Sequence, residues 1–436
     1  MDDRKAKIPL ESLPQLYRDA VIITRQLNIK YLWIDSLCII QDSNDDWSKE
    51  SASMGEVYRF AFLTISALDS QDCHQGILIQ RAPSDTQPMK EDGTFIPLNT
   101  LQRRRQDVIM KSALCQRAWV LQERLLSPRI LYYSAAEMLW ECLSCTARES
   151  STSVAPFQPT SYEYQSNQCR TMKTQLILPL DENPSYPISP PSDWYLIVTE
   201  YTLCCLTKAS DKLPALSGLA SIFKRNTSYK YLAGLWEEDF AGGLLWFAPI
   251  GQGQRNEERS IQPYRGPSWS WVSSDLRIQY KTFPFQKDTY AAADIKLFSS
   301  SIEYVGQNPM GEIASARITV QAYFQKLVYE IQLGTRRCFV YNDEGKRCGS
   351  GIFDFKDGEP RARKECGGLW VMQRRMWGLE YFDQDYPLPP TYLLYFLIVE
   401  RVSDAVVENC WRRIGLGWAI PQEMGFGTQQ LDIVLA

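Results

Sequence analysis

A single histidine, His74, stands in a chain of 436 residues. That excludes any catalytic scheme built on two imidazoles. A histidine-based triad would have to rest on the loop QDCHQGIL, where a solvated loop residue is the simpler reading. No apolar run approaches the roughly 20 residues of a membrane-spanning helix; the longest, YLLYFLIV over 392–399, suits a buried strand. The Cys-x-x-Cys of Cys142 and Cys145 has no second pair to match it, and with one histidine the usual zinc ligand sets are missing, so no metal site is expected. There is no P-loop, no internal repeat and no dinucleotide fingerprint. Gly415-Leu416-Gly417 lacks both the third glycine and a following helix. Basic blocks are absent too. The net charge is -4, and Arg103, Arg104 and Arg105 form only a short solvated cluster, which argues against a nucleic-acid partner.

What is present is a chain with 44% hydrophobic residues, enough for two or three domains with cores. Its N-terminus, MDDRKAKIPLES, is polar and unlike a signal peptide. The 12 scattered cysteines then read as reduced thiols of a cytoplasmic protein. Ser12–Leu27 has the stripe of an amphipathic helix, with Ser12 and Gln15 spaced as a capping box. Tyr31–Ile34 reads as a short strand ending at Asp35, Trp47–Ala61 as a helix, and Phe62–Ala67 as a second strand. This order predicts an α/β layer with a parallel or mixed sheet, whose ligands lie at the carboxyl ends of strands. Glu50 falls on the apolar face of its helix, three residues after Trp47 and four before Met54. A carboxylate there is a cap or dipole partner near Asn44, Asp45 and Asp46, or a functional group.

Leu114–Leu126 reads as a helix ended by Pro128, and Arg129–Tyr133 with Met138–Cys142 as a β-hairpin. These elements give a first domain over 1–150. Residues 151–193, rich in proline and serine, read as a linker or surface excursion. Helical text follows over 194–260, and a β-rich region over 261–436, opened by Trp269-Ser270-Trp271 at strand spacing, whose short strands read as a sandwich-like or mixed packing unit. The aromatic residues fall mostly within apolar runs, as packing requires.

Two long blocks carry a family resemblance. The first is YLWIDSLCIIQ over 31–41, followed by Asp46, Trp47, Glu50, Met54, Val57, Tyr58 and Ala61. The second is RAWVLQERLLSPR over 117–129, followed by Trp140, Glu141 and Cys142. Together they resemble fungal heterokaryon-incompatibility (HET) domain proteins. SDKLPALSGLA (210–220), YLAGLWEEDF (231–240), PSWSW (267–271) and Arg412–Gly415 are similar to segments that follow the domain in fungal members. In the family an earlier strand ends in a Ser-Tyr-x-Trp-Gly-like motif; the chain begins at the helix after it. An N-terminally incomplete domain with an unpaired sheet edge is therefore expected.

The resemblance implies a role in nonself recognition and programmed cell death, and a TIR-like, flavodoxin-like layered fold. Through the spacing Trp47-Ser-Lys-Glu50 it implies cleavage of the nicotinamide–ribose bond of NAD, with NAD as substrate and no resident cofactor. One carboxylate beside an oxocarbenium-like ribose suffices for that chemistry. Glu50 is the catalytic candidate. Asp35, Ser36, Gln41, Trp47, Gln122 and Glu123 are substrate-binding candidates, with loop-stabilising contacts the other reading of Ser36 and Gln41, and a surface ion pair that of Glu123. Cys38, within Leu37-Cys-Ile-Ile40, reads as an inert buried thiol. The alternatives are a non-catalytic module that assembles with a protein partner or with itself, an inactive homologue, and an enzyme of fungal secondary metabolism.

Overall fold

The computed structural model describes residues 7–79, 109, 111–149, 151–156, 173, 176, 190–250, 264–281, 293–332, 335–355, 363–375, 392–403, 409–424 and 430–436. The arginine cluster at 103–105 and most of the proline-rich stretch lie outside these residues. The chain forms two compact units: residues 1–185 with 204–206 and 215–222, and residues 186–203, 207–214 and 223–436.

In the first unit, helix α1 (Gln15–Gln26) begins later than the capping-box pattern predicts. Ser12 closes a 3-10 turn instead, its hydroxyl donating to the Pro9 carbonyl at 2.7 Å. Pro14 stands at the helix entrance, where a missing N–H costs nothing. Asp19, buried in this helix, accepts the backbone N–H groups of Ile77 at 2.8 Å and Leu78 at 3.2 Å, which pins the 76–78 loop to α1.

The expected strand at 31–34 is neither strand nor helix and pairs with no strand among the described residues; its last residue, Ile34, is extended, and Asp35–Cys38 forms a single helical turn after it. Apolar text favours an extended chain, but only a neighbouring ladder makes it a strand. Helix α2 (Asn44–Phe60) is capped by Ser43, whose hydroxyl accepts the Asp46 N–H at 3.2 Å. Glu50 therefore lies in the second turn, past the reach of a capping box and of the helix N-terminal dipole.

Strand β1 (Thr64–Ala67) runs parallel to β2 (Arg129–Tyr133), with Thr64 opposite Ile130 and Ala67 opposite Tyr133. Helix α3 (Ala118–Leu126) leads into β2 and starts four residues later than its apolar face suggests. Arg117 is extended there because its backbone bridges Cys205, with Ala118 N–H donating to the Cys205 carbonyl at 3.0 Å. Strands β3 (Met138–Cys142), β4 (Cys145–Arg148) and β5 (Ser151–Pro156) continue antiparallel from β2, the last beginning where the proline-rich text begins. The unit thus joins helices to a five-stranded mixed sheet with one parallel pair.

The second unit opens with helix α4 (Pro190–Tyr201), shorter than the helical text. Trp194, fully buried, packs edge-on against Trp236 and donates its indole N–H to the Gly234 carbonyl at 2.9 Å. Trp271 donates to the same carbonyl at 2.9 Å. Gly234 sits at φ +94, in the left-handed region, which lets its carbonyl face both indoles. Trp269-Ser270-Trp271 is accordingly not a strand: Ser270 caps a 3-10 turn over Trp271–Ser273, and both tryptophans are buried. Alternating aromatics here mark a tight turn packed on both sides.

Two short antiparallel pairs come first, β6 (Tyr231–Leu232) with β7 (Leu235–Trp236) and β8 (Trp246–Phe247) with β9 (Gln279–Tyr280). The β-rich region is a closed barrel rather than a sandwich. Its strands are β11 (Ile313–Ile331), β12 (Arg337–Tyr341), β13 (Arg347–Phe353), β14 (Lys364–Arg375), β15 (Tyr392–Arg401) and β16 (Cys410–Ala419). They follow the order β11-β12-β13-β16-β15-β14, and β14 returns to β11 through Phe324–Tyr329. Closure is possible because β11 is 19 residues long. Its C-terminal half serves the barrel while its N-terminal half pairs with β10 (Lys296–Tyr304) and β17 (Gln430–Leu435). Closing the ring removes the edges an open sheet would expose. Leu327, Val340, Phe353, Leu394, Phe396 and Ile414 fill the interior. Gly417 lies opposite Phe396, whose ring would meet an added Cβ at 2.3 Å, so the Gly-Leu-Gly run makes room for a core phenylalanine. Among the described residues no helix is long and apolar enough to cross a membrane.

Candidate functional site

A cavity of about 790 Å³ opens in the first unit. Leu16 and Ala20 of α1, the segment Tyr31–Asp35, Val57 and Tyr58 of α2, and Thr64–Ala67 of β1 wall it. The apolar face of α3 is buried through Val120, Leu121, Leu125 and Leu126, which turns Glu123 toward this space. Asp35, Arg117, Glu123 and Arg124 are the charged groups on the wall, and Tyr17, Tyr31, Tyr58 and Tyr132 its phenols.

Glu123 is half-buried, and its electrostatics set the character of the site. Burial pushes its carboxyl up from 4.5 to about 7; the Tyr58 hydrogen bond and the Arg117 charge pull it back, and Asp35 adds to the rise. The Tyr58 phenol is held well above its ordinary value by burial and then by the charges of Glu123 and Asp35, so it stays protonated and donates to Glu123. A carboxyl poised near neutrality, a fixed donor beside it and an exposed arginine together can exchange a proton and meet an anion.

The sequence candidates divide on this geometry. Asp35 and Glu123 come together on the cavity wall; Ser36, Gln41, Trp47, Gln122 and Glu50 do not line it. Ser36 is exposed and shares a 2.7 Å hydrogen bond with the Tyr17 hydroxyl. Gln41 donates to the carbonyls of Asp35 and Ile39, each at 3.3 Å, as a loop-stabilising residue would. Trp47 packs edge-on against Trp119 with ring centroids 6.3 Å apart. Gln122 is fully buried and accepts the Gly218 N–H at 2.8 Å, where Gly55 and Gly218 bring two backbones together. Glu50 is half-buried on α2 and makes no hydrogen bond or ion pair among the described residues. Cys38 is exposed rather than buried, because the single helical turn at 35–38 projects its side chains outward.

Tyr58 and Arg117 were not among the sequence candidates. Tyr58 was hidden inside the apolar stripe of its helix. Arg117 opens the second block of the family resemblance, six positions before Glu123, but nothing in its spacing reveals that it is extended rather than helical.

The cavity is also lined by one backbone without a ladder and by a strand paired on one side only among the described residues. Tyr31, Leu32 and Trp33 make no backbone hydrogen bond among the described residues, and β1 pairs only with β2. Tyr31 is 87% exposed, Phe60 73% and Phe62 60%, an unusual cluster of bare aromatics beside such an edge.

Residues 1–123 match the family model of the Heterokaryon incompatibility protein (HET). This segment is a HET domain. The match ends at Glu123, so all four members of the Asp35–Tyr58–Arg117–Glu123 group lie within the HET domain. No curated protein and no solved structure matches the chain.

Proposed function

We propose that this protein acts in fungal heterokaryon incompatibility, as a cytoplasmic nonself-recognition and cell-death protein, and that its HET domain works by hydrolysing NAD in the cavity around Glu123. The observation that carries this reading is the Glu123 carboxyl, poised at about 7 on a cavity wall beside Tyr58 and Arg117. In its ionised form Glu123 stabilises the oxocarbenium-like ribose left when nicotinamide departs, and Asp35 binds ribose hydroxyls. Nicotinamide leaves as a neutral group, so no strong general acid is required. Arg117, exposed at the cavity, supplies a cation for the pyrophosphate. Glu50, the carboxylate at TIR-like spacing, sits off the cavity wall and is the competing candidate.

The experiment is release of nicotinamide from NAD by the folded protein. Glu123→Gln abolishes release and Glu50→Ala retains it under the cavity reading. The reverse pattern transfers the chemistry to α2, and a folded protein that leaves NAD intact ends the enzymatic reading.

The unladdered backbone of 31–33 and the one-sided pairing of β1 among the described residues favour a second, non-catalytic reading. In it the domain takes an extended strand from a protein partner or a second copy across the cavity, and assembly is its output. Protection of the β1 and 31–34 amides from hydrogen exchange on assembly, in Glu123→Gln as in wild type, supports that reading.

A further inference from the structure

We propose that Cys142 and Cys145 form a redox-active dithiol that takes oxidising equivalents from a glutathione-type disulfide and closes to an intramolecular disulfide. The two residues face each other at the end of the β3–β4 ladder, across the turn Leu143-Ser144. The last paired residues before them are Glu141 and Thr146. Their sulfurs lie 3.6 Å apart, and both side chains are partly exposed. A bond needs the sulfurs to approach to about 2.05 Å, a movement within the reach of side-chain rotation on a hairpin.

The turn also prepares Cys142 to be the attacking sulfur. The Cys145 N–H donates to the Cys142 sulfur at 3.3 Å. Burial alone raises the Cys142 thiol, but the Cys145 and Ser144 N–H groups, with the Trp140 and Cys145 side chains, outweigh it and leave the thiol below its ordinary value. The buried Lys173 ammonium, 3.0 Å from the Glu141 carboxylate, adds a favourable charge interaction with a Cys142 thiolate. Cys338, Cys348 and Cys366 are buried in the other unit's barrel instead. A thiolate held by backbone donors beside a second thiol is the arrangement that thiol–disulfide exchange requires.

The chemistry balances without a metal or cofactor. The Cys142 thiolate attacks one sulfur of the external disulfide, forming a mixed disulfide and expelling one thiolate. Cys145 then loses its proton and attacks the Cys142 sulfur, expelling the second thiolate. The protein is oxidised by two electrons, the small disulfide is reduced to two thiols, and the protons from Cys142 and Cys145 end on those products.

The test uses the full chain, equilibrated across mixtures of reduced and oxidised glutathione, acid-quenched, alkylated and read by peptide mass spectrometry. Both alkylation sites at 142 and 145 are lost together as the oxidised fraction rises, with a mass loss of two hydrogens, and dithiothreitol restores them. Cys145→Ser accumulates a glutathione adduct on Cys142 that the wild type resolves, and Cys142→Ser leaves Cys145 alkylatable. Full alkylation of both residues at every ratio in a folded protein overturns the proposal, as does a persistent adduct in the wild type or an unmodified Cys142 in Cys145→Ser.

Discussion

Replacing Glu123 by glutamine should stabilise the protein at pH 8 and do so far less at pH 5. The folded state holds the Glu123 proton more tightly than the unfolded chain, because burial lifts the carboxyl to about 7 from 4.5. The stability this group supplies is therefore fully present below about pH 4.5 and is lost as pH rises through about 7. The gap, about 7 less 4.5, is about 2.5 pH units. At about 1.36 kcal/mol per unit it sets an upper value of about 3 kcal/mol for keeping the ionised carboxylate in place at pH 8. Solvent in the cavity lowers that figure, since Glu123 is only half-buried. Glutamine keeps the shape and an oxygen for the Tyr58 phenol but never ionises. Hydrogen exchange of α3 in increasing urea is the suitable assay, because two compact units make a whole-chain transition ambiguous. Equal differences between wild type and Glu123→Gln at pH 5 and pH 8 would refute the argument that burial, and not a local fold requirement, governs this carboxyl.

Two further substitutions test the packing that frames the units. An alanine at Gly218 would place its Cβ 2.8 Å from the Gln122 side-chain oxygen and 2.9 Å from the Gly55 Cα, so Gly218→Ala should cost about 1–3 kcal/mol. Gly306→Ala, with nothing within 4 Å, is the control, and hydrogen exchange of α2 and α3 in increasing urea should weaken in Gly218→Ala and hold in Gly306→Ala. In the second unit, Arg413 is buried, pairs with Asp354 at 2.8 Å and donates to the Leu244 carbonyl at 2.6 Å. Arg413→Met leaves Asp354 buried without its cation and should destabilise the barrel by about 3–5 kcal/mol. Adding Asp354→Asn should recover part of that loss in a double-mutant cycle followed by hydrogen exchange of β13 and β16, and strict additivity would show that the pair is not coupled.

The sequence was most legible where a pattern is local. The α1 stripe, the hairpin of β2 and β3, and the long apolar strands of the barrel were all visible as periodicity, because each buries a face with a fixed repeat. What escaped was non-local. Tyr31–Ile34 has strand text, yet pairing belongs to its neighbours. Arg117 reads as helix until the backbone of Cys205, far along the chain, holds it extended. Arg347–Phe353 went unread as a strand because Gly349 and Gly351 break its apolar pattern. In the barrel those glycines accommodate close neighbours: a Cβ on Gly351 would meet Ile398 at 2.6 Å. Asp35 and Glu123 could be singled out as carboxylates in two distinctive blocks. That a tyrosine from the apolar stripe of α2 would join them required the tertiary structure.

That shared wall makes the two functional readings exclusive in space. An added strand bonded to β1 would occupy the volume that a nucleotide needs, and would bury Glu123 further without offering it a new donor, since strand N–H groups point along the sheet to β1 and 31–34. Fuller burial would raise the carboxyl above about 7, disfavouring the ionised form that stabilises a cationic ribose. Assembly through the β1 edge would therefore suppress NAD cleavage at Glu123, while cleavage at Glu50, off that wall, would be untouched. Nicotinamide release measured together with amide protection of β1 separates the two: a protein whose β1 amides are protected and whose turnover continues cannot be using Glu123.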